Sequence, residues 1–201
     1  MARLPVCLLT VFAMGCQAQP LTQGDRDFAV SALHATRKLF LDTVAGLSPA
    51  QLKWKPSAEV WSVMEVAEHI ALSDELIPQA AAKAMQGPAA PEKRQANARA
   101  EDAKILQAMA SREQKAKAPA EFVPAGRFQD MAALTAAFKA SRDRNIAYVR
   151  ETRDELRNHF APLPGVGELN ALQWYVMMAG HTERHVKQMK EVMGMAGFPK
   201  K

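Results

Sequence analysis

The sequence predicts an all-α protein, a four-helix bundle, and three observations carry that expectation. Alanine, leucine, methionine, lysine, glutamate and glutamine dominate, while apolar and polar residues seldom alternate in β-branched runs. Four long stretches repeat apolar residues at helical spacing, and Gly- or Pro-containing breaks separate them. No Gly-rich phosphate loop follows a strand-like run. With 201 residues, 48% of them hydrophobic, the chain is long enough for one domain with a real core, expected over residues 22–196.

The chain starts MARLPVCLLTVFAMGCQAQP, one basic residue (Arg3) followed by a short apolar stretch from Leu4 to Met14. This is the layout of an export signal over residues 1–18, and it is shorter than the ~20 apolar residues that span a bilayer. Two processing routes fit. Cleavage before Cys16 uses Ala13, Met14 and Gly15, similar to a bacterial lipobox without its usual leucine, and leaves Cys16 to carry lipid and attach the protein to a membrane. Cleavage after Ala18 uses the small residues Cys16 and Ala18 and releases a soluble protein. Either route predicts a periplasmic or membrane-anchored location. Cys7 and Cys16 are the two cysteines of the chain, so the mature domain has no disulfide and no thiolate ligand or nucleophile.

The first bundle helix is expected over about 24–45, with Phe28, Leu33, Phe40 and Val44 facing inward and Gly46 ending it. A Ser48–Pro49 step opens a short helical turn, and the connector runs on through Pro56, pinned by Trp54 and Trp61. Ser62 and Glu65 have the spacing of a capping box and start the second helix. Val66, His69, Ile70 and Ser73 share its inward side. Residues 86–91 break this helix, and residues 119–126 form another break. Between them, 94–117 is a charged helical excursion with a thin apolar stripe, which either covers part of the bundle or is mobile. The third long helix is expected over about 131–158, with Leu134, Phe138, Ile146, Val149 and Leu156 buried. Residues 161–168 stop it. The last helix, about 170–195, places Trp174, Met178, His181, His185 and Met189 on one inward seam.

The net charge of +5 and pI near 9.3 do not point to nucleic acid, because acidic residues are interspersed with the basic ones and no aromatic residues interleave with them. The chemistry lies in the histidines. Four residues rotate a helix by about 400°, so His181 and His185 project from one face a turn apart, close enough to hold one ion. A third ligand must come from another helix, and His69 is the candidate. Neutral imidazole suits zinc, nickel, copper or iron, and three protein ligands leave a coordination position open. A bound divalent ion lowers the pKa of its water or activates a thiolate. The segment is not the peptidase motif H-E-x-x-H: Thr182 follows His181, and Glu183 is turned roughly 200° away. Glu65 reads as a cap or as a partner of His69, and Gln188 as a partner of His185. His34 and His159 have no ligand-spaced companion. The Met and Trp seam around Trp174, Met177, Met178 and Met189 reads as core, with a thioether copper site as the alternative.

Three segments together resemble the DinB-like, or YfiT-like, metal-binding four-helix bundles: LSPAQLKWKPSAEVWSVMEVAEHIALSDE (47–75), the helix from Leu134 onward, and HTERHVKQM (181–189). The resemblance implies a divalent ion, nickel or zinc, held by His69, His181 and His185, in proteins that are often homodimers. It also implies metal-dependent hydrolase or thiol-dependent transferase chemistry on a small molecule, while many similar proteins have no assigned activity. The predicted export weighs against thiol transfer, because reduced small thiols are chiefly cytosolic. A non-catalytic envelope protein that binds metal or ligand is the other expectation.

Overall fold

Side-chain caps set where most of the helices begin. Thr22 accepts the amide of Asp25 while Asp25 returns to the Thr22 amide, opening α1 (Gln23–Val44). The same reciprocal box opens α2 (Pro49–Lys53) with Ser48 and Gln51, and α3 (Val63–Met85) with Ser62 and Glu65. Each cap satisfies amides that the helix cannot, worth about 1 kcal/mol. The excursion contains α4 (Ala98–Ala110), and Asp130 caps α5 (Met131–Glu151) by accepting the Ala133 amide. Strands β1 (Phe160–Leu163) and β2 (Gly167–Asn170) precede α6 (Ala171–Met193), which Asn170 and Gln173 cap. The computed structural model describes residues 20–114 and 117–200. The export segment and both cysteines lie outside them.

Helices α1, α6, α3 and α5 pack in a closed ring, each against the next, while α4 lies outside it along α6. This is the expected all-α four-helix bundle, and α4 is the helical part of the excursion. Two apolar clusters fill the interior. One holds Leu33, Ile77, Ile146, Val149, Leu172 and Met178; the other holds Phe40, Val66, Ile70, Phe138, Val186 and Met189. Phe40 and Phe138 meet edge to face at 4.5 Å between ring centres. Truncating such buried side chains costs about 2–5 kcal/mol each.

A polar layer separates the two clusters. Each helix of the ring contributes one of its members: Thr36, Asp74, Arg142 and Thr182, all buried. Arg142 donates to both Asp74 oxygens, to Leu33 O and Thr36 Oγ1 at 2.9 Å each, and to Thr182 Oγ1 at 2.8 Å. Pro78 lies inside α3, and a proline has no amide for the carbonyl four residues earlier. That carbonyl, of Asp74, instead accepts from Ser141 Oγ at 3.0 Å and Asn145 Nδ2 at 2.9 Å on α5.

Three features differ from the sequence-based expectation. The third long helix ends at Glu151, seven residues before 158. The Arg26 guanidinium donates to the carbonyls of Val149, Arg150 and Thr152 at the turn that follows, and Leu156 is buried from an irregular segment. Residues 161–168 do not simply stop a helix: they fall in an antiparallel hairpin, with Phe160 opposite Asn170 and Leu163 opposite Gly167. Gly165 (φ 78°) and Gly167 (φ 119°) supply the turn conformation that other residues avoid. The excursion is also more firmly tied than its thin stripe implies. Asp102 is fully buried and receives Arg157 on both oxygens, at 2.8 and 2.5 Å, and Gln173 at 3.2 Å.

Candidate metal centre

Seven residues separate the Ser62 cap from His69, which puts the imidazole on the buried side of α3 with Val66, Ile70 and Ser73. The ring packs between Trp61, at 5.2 Å between centres, and Phe122, at 6.3 Å. From α6, His181 and His185 come to the same place. His69 Nε2 lies 3.1 Å from His185 Nε2 and 3.3 Å from His181 Nε2, and the last two are 3.1 Å apart.

The outer nitrogens decide what the inner ones present. His69 Nδ1 is 2.7 Å from the Phe122 carbonyl, which can only accept, so this nitrogen carries the proton and Nε2 turns a lone pair inward. His185 Nδ1 is 2.8 Å from Gln188 Oε1. Arg112 Nη1 approaches the same oxygen at 3.5 Å, which fits that orientation of the amide and gives His185 the same tautomer. Two lone pairs therefore face each other at 3.1 Å. A proton on His181 Nε2 would relieve this in the metal-free protein; a cation relieves it for all three rings. His181 Nδ1 is buried without a hydrogen-bond partner.

Electrostatics favour neutral rings. Burial lowers the pKa of His69 despite its bond to Phe122, and holds His181 well below the ordinary histidine value, helped by His185, His69 and Arg184. His185 is lowered to about 3, first by burial and then by the neighbouring His69. Neutral imidazole is the ligand form. The spacing fits as well: nitrogens about 2.0–2.1 Å from one ion, in tetrahedral arrangement, stand roughly 3.3–3.4 Å apart.

The carboxylates stay out of the cluster, which consists of His69, His181 and His185 among the described residues. Glu65 caps α3 and pairs with Lys55 at 2.9 Å, so the capping reading holds. Glu183 pairs with Lys187 at 2.8 Å. His34 meets Arg150, and His159 Nδ1 meets the Gly87 carbonyl at 3.0 Å, so neither joins the cluster. Met178 and Met189 belong to the apolar clusters. Sequence reasoning missed Glu68, a buried neighbour of His69 that accepts the amides of Ala125, Gly126 and Arg127. Its signal was a charged residue within an otherwise apolar stretch of α3.

Fold and site define a class: a four-helix bundle with three inward histidines from two helices, a donor set suited to a divalent ion. The chain belongs to the DinB superfamily, whose sequence pattern matches residues 32–189. It is similar to YuaE, an uncharacterized protein of Bacillus subtilis (strain 168), with 30% identity over 147 residues that cover 73% of this chain and 86% of YuaE. Among solved structures it is similar in fold to YfiT from Bacillus subtilis, described as a probable metal-dependent hydrolase with an unusual four-helix bundle topology. The TM-score is 0.54 at 12% identity, covering 87% of this chain and 89% of YfiT.

Proposed function

We propose that this is an exported, metal-dependent hydrolase of a small molecule, with a zinc or nickel ion held by His69, His181 and His185. The observation that supports this best is the convergence of three Nε2 atoms within 3.3 Å while two of the rings have their protons committed outward. Such an ion supplies Lewis-acid polarisation of a substrate oxygen or of water. The chain's own contribution is positioning: Phe122 and Gln188 hold two tautomers, and Trp61 and Phe122 wall the His69 side of the site with apolar surface. Residues 1–18 support export, with lipid on Cys16 or cleavage after Ala18 as the two ends of that route. Export also favours hydrolysis over a reaction with a reduced cytosolic thiol. The description of YfiT as a probable hydrolase agrees with this assignment.

A non-catalytic metal-binding envelope protein is the second reading. It is favoured by the commitments of Glu65, Glu68 and Glu183, each of which has another partner and offers the cluster no free base.

Metal analysis of protein purified without a histidine tag tests the shared part. Wild type is expected to retain about one divalent ion per chain and a His181→Ala/His185→Ala variant little. Equal, negligible contents would remove the metal assignment. Ester and amide substrates assayed with and without chelator then separate the readings: chelator-sensitive turnover supports the hydrolase, and metal uptake without turnover supports the binding protein. Fractionation and intact mass test export, which an unprocessed cytosolic chain would contradict.

A further inference from the structure

Glu68 and His69 are consecutive on α3, so their side chains diverge by about 100°, yet both engage the same segment, 120–127. Glu68 is 2% exposed. Its Oε1 accepts the amides of Ala125 at 2.9 Å and Arg127 at 3.0 Å, and its Oε2 accepts that of Gly126 at 3.0 Å. Gly126, at φ 74°, takes the left-handed conformation that lets successive amides converge on one anion. Three residues upstream of Ala125, the Phe122 carbonyl receives the Nδ1 proton of His69. The turn Ala120–Phe122 that carries this carbonyl has no side-chain cap of its own. Its placement over His69 thus has one strong side-chain anchor nearby, the Glu68 carboxylate.

We propose that Glu68 is a positioning residue of the metal centre: by holding the amides of Ala125, Gly126 and Arg127 it fixes the loop whose Phe122 carbonyl sets the tautomer and orientation of His69. This rests on the three-histidine metal-binding reading. Glu68 itself lies outside the histidine cluster, so its action passes through the loop. Glu68→Gln keeps the size of the side chain but turns a donor toward amides that need acceptors, and Glu68→Asp keeps the charge with a shorter reach.

Two readouts on tag-free protein test the proposal. Long-range nitrogen–proton NMR reports the His69 tautomer in chelator-treated protein, and competition with a chromophoric chelator gives the zinc dissociation constant. For Glu68→Gln, His69 is expected to lose its single Nδ1–H form and zinc affinity to fall about 10–100-fold, the usual consequence of removing an outer partner of a ligand. Glu68→Asp should move both readouts the same way by less. A Glu68→Gln protein with the wild-type tautomer and zinc affinity within about twofold of wild type overturns the proposal even if it melts earlier, because Glu68 would then be a structural staple only. If Glu68→Gln does not fold, Glu68→Asp and amide exchange in wild type decide. Unprotected amides at 125–127 overturn the proposal, and protected amides with a shifted His69 tautomer in Glu68→Asp support it. Failure of wild type to take up zinc would count against the metal reading, and the tautomer readout would still judge the role of the loop.

Discussion

Arg142 of α5 pairs with Asp74 of α3 in the layer between the two apolar halves of the bundle, and both side chains are wholly inaccessible to solvent. The same guanidinium bonds to Leu33 O and Thr36 on α1 and to Thr182 on α6, so one residue touches all four helices of the ring. Sliding any helix by a turn would leave a charge unpaired in the core. The layer also borders the histidines in sequence, since Thr182 follows His181 and Ser73, next to Asp74, bonds to the His69 carbonyl at 2.7 Å.

Arg142→Ala leaves Asp74 buried without its partner, a change that costs about 3–5 kcal/mol. For a chain of this length that lowers Tm by roughly 6–20 °C. An Asp74→Leu/Arg142→Met double variant should recover much of the loss, because two apolar side chains leave no charge stranded. Thermal melts of the three proteins check this, and a single variant that melts with wild type would refute the register role of Arg142.

Gly180→Ala tests the contact that seats α4 beside the site. A Cβ at Gly180 would stand 2.6 Å from the Leu106 carbonyl and 2.9 Å from Met109 Cβ. The carbonyl is backbone and cannot swing away. Alanine is the better helix former by about 1 kcal/mol, but overpacking costs about 1–3 kcal/mol. The expected result is a net loss of stability with faster amide exchange across 98–110, measured by mass spectrometry. A more stable protein with unchanged exchange there would show that α4 packs less closely.

What the sequence made legible follows from its periodicity. Ser62 and Glu65 announce the start of α3, and a spacing of four residues is enough to set His181 and His185 on one face of a helix. Asp74 falls on the line of Val66, Ile70 and Ile77, and Arg142 on that of Phe138, Ile146 and Val149, so periodicity puts both charges on buried stripes. It does not say that they meet, because pairing depends on how α3 and α5 are offset along the bundle. The hairpin was less legible: four-residue strands around Gly165 read equally well as a loop. The link from Glu68 to 125–127 joins residues almost sixty apart through backbone amides, which have no side-chain signature in the sequence.

Gln188→Ala removes the acceptor from His185 Nδ1. Losing such an outer partner weakens metal binding about 10–100-fold, because the ring is freer to turn and the other tautomer becomes accessible. Gln188→Glu retains an acceptor at the same reach and should keep most of the affinity. Competition titrations against His185→Ala, which removes a ligand outright and should lose more, place the effect on scale. Equal affinity for wild type and Gln188→Ala would mean that packing alone orients His185.

The buried histidines also set the acid response of the metal-free protein. Burial depresses all three pKa values in the folded state, that of His185 to about 3, while an unfolded histidine titrates near 6.5. Between those values the unfolded chain binds more protons than the folded one, so lowering the pH favours unfolding. Stability is therefore fullest above about pH 6.5 and declines below it, by up to about 1.4 kcal/mol per pH unit for each histidine that stays neutral. Glu65 behaves differently: its lowered carboxylate pKa contributes stability that is fully present above its ordinary value near 4.5 and is lost only as the pH falls further. The interval from about pH 6.5 to 5 thus isolates the histidines. Urea melts in the presence of chelator should show the wild-type midpoint falling through this interval, and a His69→Gln/His185→Gln variant falling less steeply. Protons compete with the ion for the same nitrogens, so metal release should begin as the pH falls through the acidic range. Parallel pH profiles for wild type and variant would mean that the rings are solvated enough to titrate normally, and that the site is more open than its burial indicates.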